Sequence, residues 1–288
     1  MVPPLAPPRR SEMPGAAPSP PRRASTGGRG GGYGSRERGP SGETPLTPLI
    51  RLQLVAARLG LAPPVRAFIV VPGLKLAFGR VPKVANSSIK TALARHVPVD
   101  PDIDERPGRD RYWMRADGAG AHMASARAVA ADRAGLLVFA FVRDPFDRLA
   151  SCYVNKILQA KTFPPLFTAL GLTPGMTFDA FTARVAEIPD AVADDHFRAQ
   201  SAMLMAGGKV VPTFVGRFER IGEDWERLRA AVVAHSGADL GALPHINNRR
   251  GGADDLGALY ADPAVVARVR RRYAADFAAF YPDRPDPA

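Results

Sequence analysis

A single cysteine, Cys152, stands in 288 residues, so the chain offers neither an intramolecular disulfide nor a cysteine-based zinc site. It follows Ser151 in an apolar stretch and reads as an inert buried thiol. No apolar run approaches the roughly 18 residues that a membrane-spanning helix needs. The first residues lack the basic start, apolar run and cleavage site of a secretory signal. These absences predict a reducing, cytoplasmic setting, with a membrane-peripheral position left open. Also missing is a G-x-x-x-x-G-K-[ST] loop, the backbone cradle of triphosphate-binding proteins.

What the chain does have is positive charge and enough apolar residue for a core. Hydrophobic residues make up 46% and charged residues 23%, the balance of a globular domain. The net charge of +11 points to an anionic partner. Residues 1–47 are rich in Pro, Gly, Ser and Arg and have almost nothing to bury, so they are expected to be a disordered tail ahead of one domain over 48–288. Seven Arg and three Glu give that tail +4, which leaves +7 for the domain. The run Gly27–Gly32 has the composition of an arginine-glycine RNA-binding tail, although a solvated extension is the preferred reading.

Along the domain, Leu46–Leu61 has helical spacing and ends at Gly60 and Pro63. Val65–Val71 is a β-type run, Pro72-Gly73 a turn, and Leu74–Phe78 a core strand. Helices are expected over Ser87–His96, His122–Arg133, Phe146–Leu158, Thr177–Ile188, Asp190–Met205, Glu223–His235 and Pro263–Phe280. Leu136–Val142, a continuous apolar run bounded by Gly135 and Arg143, suits a strand covered on both faces. Val210–Phe218 reads as one more strand. Pro101–Gly120 and Pro244–Gly252 read as polar loops. Strands alternating with helices predict an α/β fold with a mainly parallel sheet flanked by helices, and ligands beyond the carboxyl ends of the strands.

Two strand-to-helix junctions carry anion chemistry. In Val81-Pro-Lys-Val-Ala-Asn-Ser-Ser-Ile-Lys90, the small polar residues Asn86, Ser87 and Ser88 open a helix, whose free N–H groups and dipole suit a phosphate. Lys83 can reach the same anion across the loop. An ordinary capped helix explains that segment equally well. In Phe141-Val-Arg-Asp-Pro-Phe-Asp-Arg-Leu-Ala-Ser151, Arg143 ends a buried strand, where a charge is costly unless an anion meets it, and Ser151 follows eight residues on. Structural ion pairs, Arg143–Asp144 or Asp147–Arg148, are the alternative there. Two such sites on one scaffold suggest a ligand phosphorylated at two places.

These two segments resemble the 5′-phosphosulfate loop and the 3′-phosphate motif of the carbohydrate sulfotransferases, the chondroitin-type family known as sulfotransferase family 2. Further similarity lies in Asp195-His-Phe-Arg-Ala-Gln200, Phe214-Val-Gly-Arg-Phe-Glu219, Leu243-Pro-His-Ile-Asn247 and Tyr273-Ala-Ala-Asp-Phe277. The resemblance implies a P-loop NTPase-like fold. It also implies sulfuryl transfer from 3′-phosphoadenosine 5′-phosphosulfate (PAPS), without a metal, to a hydroxyl of a carbohydrate or related acceptor. Lys83 is then expected to neutralise charge on the bridging oxygen, Asn86, Ser87 and Ser88 to hold the 5′-phosphate, and Arg143 and Ser151 the 3′-phosphate. His122 is the first candidate for the acceptor's proton and His196 the second. Arg249 and Arg250 either close over the 3′-phosphate or form a solvated pair. The membrane anchor and lumenal cysteines of animal members are missing, which points to a soluble, bacterial-type enzyme. Two rival readings are a small-molecule kinase with a nonstandard phosphate loop and a basic nucleic-acid-binding protein.

Overall fold

The computed structural model describes residues 48–59, 61, 64–97, 105–115, 120–246 and 256–287. The tail over 1–47, Arg249 and Arg250, and parts of the two expected polar loops lie outside these residues. Helix α1 (Pro48–Arg58) leads into a hairpin of β1 (Phe68–Val71) and β2 (Leu76–Gly79). Then follow α2 (Asn86–Ala94), α3 (Asp110–Arg115), β3 (His122–Ala124), α4 (Ala126–Ala131), β4 (Leu137–Val142) and α5 (Pro145–Tyr153). The chain continues through α6 (Pro165–Ala169), α7 (Phe178–Glu187), α8 (Gln200–Leu204), β5 (Met205–Ala206), β6 (Lys209–Val210) and β7 (Phe214–Arg217). Helices α9 (Ile221–Ser236), α10 (Leu256–Leu259), α11 (Pro263–Arg272) and α12 (Ala274–Phe280) complete it. Among the described residues no helix is long and apolar enough to cross a membrane.

The main sheet has the order β3-β1-β2-β4-β7. β4 runs parallel to both β2 and β7. β1 is antiparallel to β2 and to β3. Four of the five strands therefore point the same way, with β1 reversed, and the sheet is mainly parallel as expected. The reversal comes from the tight connection Pro72–Leu74 and from Lys75, whose left-handed backbone (φ 52°) turns the chain back at once. The apolar run of β4 fits its interior place between β2 and β7, since Val138–Val142 is buried. Phe78 stacks on Phe139 with ring centroids 5.2 Å apart, joining β2 to β4. The register Gly79↔Ala140 and Val142↔Arg217 brings the carboxyl ends of β2, β4 and β7 to one edge of the sheet.

Several elements depart from the sequence reading, each for a local reason. His122–Arg133 is alanine-rich but not one helix. His122, Met123 and Ala124 pair with Val70, Ile69 and Phe68 along the open edge of β1. Ser125 then starts α4 by accepting from the Ala128 amide at 3.2 Å. Part of the expected loop Pro101–Gly120 is the helix α3. Asp190–Met205 is helical only from Gln200. Before that, Asp190 accepts from the Ala199 amide and Asp194 from the His196 amide, both at 2.9 Å, and such side-chain bonds compete with helix. Val210–Phe218 is split at Pro212, which has no N–H for a ladder. Its first residue pairs in the β5–β6 hairpin through the left-handed Gly207 and Gly208. Pro263–Phe280 breaks at Tyr273 (φ −112°, ψ 26°), whose hydroxyl donates to the carbonyl of Phe197 at 2.7 Å.

Candidate active site

The loop after β2 reaches α2 through two left-handed non-glycine residues, Lys83 (φ 72°) and Ala85 (φ 49°). Each costs on the order of 1–2 kcal/mol, a strain that marks sites where the backbone must be aimed. α2 begins at Ala85 with no side-chain cap and with no acidic residue in its first turn. Its leading N–H groups therefore keep their demand for an acceptor, and left-handed residues in a turn of this kind can aim successive amides at an anion. Asn86 and Ser87 line a cleft at this point, and Ser88 is buried behind them.

Lys83 and Arg143 bring positive charge to the loop. Burial, with Lys156, Arg143 and Arg148 adding repulsion, pulls the Lys83 ammonium down to about 8. Arg143 sits one residue past β4, where the side chain of Gln200 holds its backbone on both sides, accepting from its N–H at 3.0 Å and donating to its carbonyl at 2.8 Å. Its guanidinium donates to the Lys83 carbonyl at 3.3 Å and lies 4.5 Å over the ring of Phe218. Its Nε is buried with no acceptor among the described residues. Burial lowers the pKa of Arg143, and an unmatched buried donor is a demand that an incoming anion relieves.

The structural ion pairs weighed from sequence do not form. Asp144 caps α5, accepting from Phe146 N at 2.8 Å, and pairs with Arg284. Arg148, 2% exposed, donates to the carbonyl oxygens of Pro82 (3.1 Å), Arg198 (2.8 Å) and Asp195 (2.8 Å). It ties the loop after β2 to the turn over 194–198. The signal for this role was present: Arg148 falls among the buried positions Pro145, Leu149 and Cys152 of α5, where a charge needs a reason. Cys152 itself is fully buried, and burial pushes its thiol up to about 12, in keeping with an inert thiol.

A cleft of about 600 Å³ opens beside the loop. The start of α2, the segment 105–111, Lys156 and the turn 194–198 form its walls. Asp110 bridges Lys90 Nζ at 2.6 Å and Arg80 Nη1 at 2.7 Å, and Arg80 also reaches Asp195 at 3.1 Å. Burial opposes the Asp110 carboxylate, but Arg80 and Lys90 outweigh it and its pKa falls. In the turn over 194–198 His196 Nδ1 lies 2.6 Å from Asp194 Oδ1.

The structure thus joins Lys83 to Arg143 and gathers Asn86, Ser87 and His196 around one cleft. His122 is placed elsewhere, exposed on the edge strand β3 opposite Val70 and outside the cleft lining. Ser151 is half-buried in the second turn of α5, also outside that lining. Sequence reasoning missed Arg148, Gln200, Lys156, Asp194 and the Arg80–Asp110–Lys90 bridge.

Comparison with known proteins bears on this arrangement as a whole. The family model described as Sulfotransferase family matches residues 66–282, a span that runs from β1 through α12 and takes in both candidate strand-to-helix junctions. Searches of curated proteins and of solved structures return no match. Because the match covers well over half of the chain and includes the loop, the strand-end arginine and the cleft, the chain belongs to the sulfotransferase family and its chemistry is sulfuryl transfer.

Proposed function

We propose that the donor is PAPS and that the acceptor is a hydroxyl of a carbohydrate or a related compound. The observation that carries the donor is the pairing of two anion sites at adjacent strand ends, the uncapped start of α2 and the buried, unmatched Nε of Arg143. A nucleotide phosphorylated at both 3′ and 5′ positions answers both demands. Asn86, Ser87 and Ser88 with the α2 amides hold the 5′-phosphate, and Arg143 with Ser151 holds the 3′-phosphate. Lys83 meets the charge that builds on the bridging oxygen as the bond to sulfur breaks. The fold acts in the manner of a P-loop scaffold, placing both sites beyond the carboxyl ends of its parallel strands. As in phosphoryl transfer, positioning and charge stabilisation supply most of the catalysis.

The family match favours this reading over a kinase or a nucleic-acid-binding protein. The test is calorimetry with adenosine 3′,5′-bisphosphate, AMP and ATP in turn, with and without magnesium. The bisphosphate is expected to bind at least tenfold tighter than AMP, independently of magnesium. Equal affinity for the bisphosphate and AMP removes the 3′-phosphate site, and a magnesium-dependent preference for ATP restores the kinase.

A further inference from the structure

We propose that Asp194 is a positioning residue that makes His196 the proton acceptor of the transfer, in place of His122. The inference rests on the donor reading above and deepens it. A single oxygen, Asp194 Oδ1, receives the His196 backbone N–H at 2.9 Å and faces ring Nδ1 at 2.6 Å. One carboxylate oxygen thus ties the imidazole to its own backbone and fixes the ring plane. Burial opposes the Asp194 charge, but the contacts with His196 outweigh it and lower its pKa, so the group is an ionised acceptor. An ionised carboxylate cannot donate. The neutral ring must therefore carry its proton on Nδ1 and leave the Nε2 lone pair free, the role that the aspartate plays toward histidine in serine hydrolases.

The pair is held where such a lone pair is useful. His196 and Asp194 line the same cleft as Asn86 and Ser87. Lys156 lies close enough to act on both Asp194 and Lys83. Arg148 grips the carbonyls of Asp195 and Arg198 on either side of the histidine and also the carbonyl of Pro82 beside Lys83. The turn and the loop after β2 are thereby fixed to one buried side chain. His122 has no comparable partner among the described residues and stands exposed on β3.

In the step, the acceptor hydroxyl gives its proton to His196 Nε2 as its oxygen forms a new bond to sulfur. The bond from sulfur to the bridging oxygen breaks, and its electron pair leaves with the nucleotide phosphate, facing Lys83. Asp194 stays ionised and stabilises the imidazolium.

The test begins with the wild-type full chain and ring-nitrogen NMR, the His196 signals being assigned with His196→Gln. The Nδ1–H tautomer is expected at His196 and is expected to be lost in Asp194→Asn. Asp194→Asn should lower turnover about 100-fold or more, Asp194→Glu should recover part of it, and bisphosphate affinity should change less than twofold. His122→Ala should keep turnover within a few-fold of wild type. An Nε2–H tautomer in the wild type, or an Asp194→Asn protein that folds and turns over normally, overturns the proposal. Loss of activity in His122→Ala with full activity in His196→Gln also overturns it. A wild type that binds no bisphosphate refutes the donor reading instead, and the tautomer measurement still decides whether Asp194 sets the ring.

Discussion

Arg143 donates from Nη1 to the backbone carbonyl oxygen of Lys83 at 3.3 Å, so the end of β4 and the loop after β2 are joined across the site. The residue proposed to bind one phosphate also helps to hold the loop proposed to bind the other. Its backbone is secured separately by Gln200, so the side chain can be cut back without releasing the strand end. Arg143→Ala should weaken adenosine 3′,5′-bisphosphate by about 2 kcal/mol or more, the scale of a charge-assisted contact at a shielded site. Calorimetry checks this, with AMP as the control whose affinity should fall much less. Equal losses for the two ligands assign Arg143 to loop support alone.

Lys83 carries a cost before any ligand arrives. Its folded-state pKa of about 8 lies below the roughly 10.4 of an unfolded lysine. The unfolded chain therefore holds the proton more tightly. The destabilisation is fully present below about pH 8 and disappears as pH rises through that value toward about 10.4. Lys83→Met removes the charge and should stabilise the ligand-free protein at pH 7 by about 1–3 kcal/mol, with no gain at pH 10.5. The same variant should lose most of its turnover, because the ammonium acts on charge that develops during transfer. Urea unfolding at the two pH values, together with a turnover assay, checks both halves.

The same shift predicts a pH dependence of binding. Above about pH 8 the ligand-free Lys83 is largely neutral, and an anionic nucleotide must bring a proton with it. Bisphosphate affinity in the wild type should fall as pH rises through about 8, by up to about tenfold per unit. In Lys83→Met that slope should vanish between pH 7.5 and 9. Calorimetry in buffers of different ionisation enthalpy reads the proton uptake directly.

Arg148 is expected to be structural. Removing its guanidinium strands the carbonyls of Pro82, Asp195 and Arg198, and each unsatisfied buried group costs about 1–3 kcal/mol. Arg148→Met should lower unfolding stability by about 3 kcal/mol or more. Arg148→Lys should recover only part of that, since a single ammonium cannot match a planar fork. Chemical denaturation at pH 7 is the measurement.

Gly216 tests the sheet beneath the site. A Cβ built there comes within 2.4 Å of the Phe141 ring, on the residue directly opposite in register. That ring is almost fully buried against Phe214 and Trp225 and has little room to yield. Gly216→Ala should therefore cost about 1–3 kcal/mol by overpacking, with a matching fall in thermal midpoint.

Much of the fold was legible along the chain because its signals are local. A continuous apolar run between Gly135 and Arg143 is too short for a helix and suits a buried strand of β4 length, and Pro145 next to it is tolerated in the first turn of α5. The candidate loop could be singled out for the same reason, since Lys83, Asn86 and Ser87 lie within five residues of one another. What could not be read depends on groups that meet from distant stretches. Alanine content promised a helix at His122, but the unpaired edge of β1, more than fifty residues earlier in the chain, drew that segment into the sheet and away from the cleft. Asp190–Ala199 has helical composition, yet its aspartates bond backbone amides within the turn while Arg148 takes the carbonyls from outside it. Local propensity is worth a few tenths of a kcal/mol per residue, and a strand pairing or a buried guanidinium satisfying three carbonyls outweighs it. For that reason the candidate anion-binding residues could be picked out by spacing, whereas the pairing of Asp194 with His196 beside the cleft, on a turn held from behind by the buried Arg148, exists only in the packed structure.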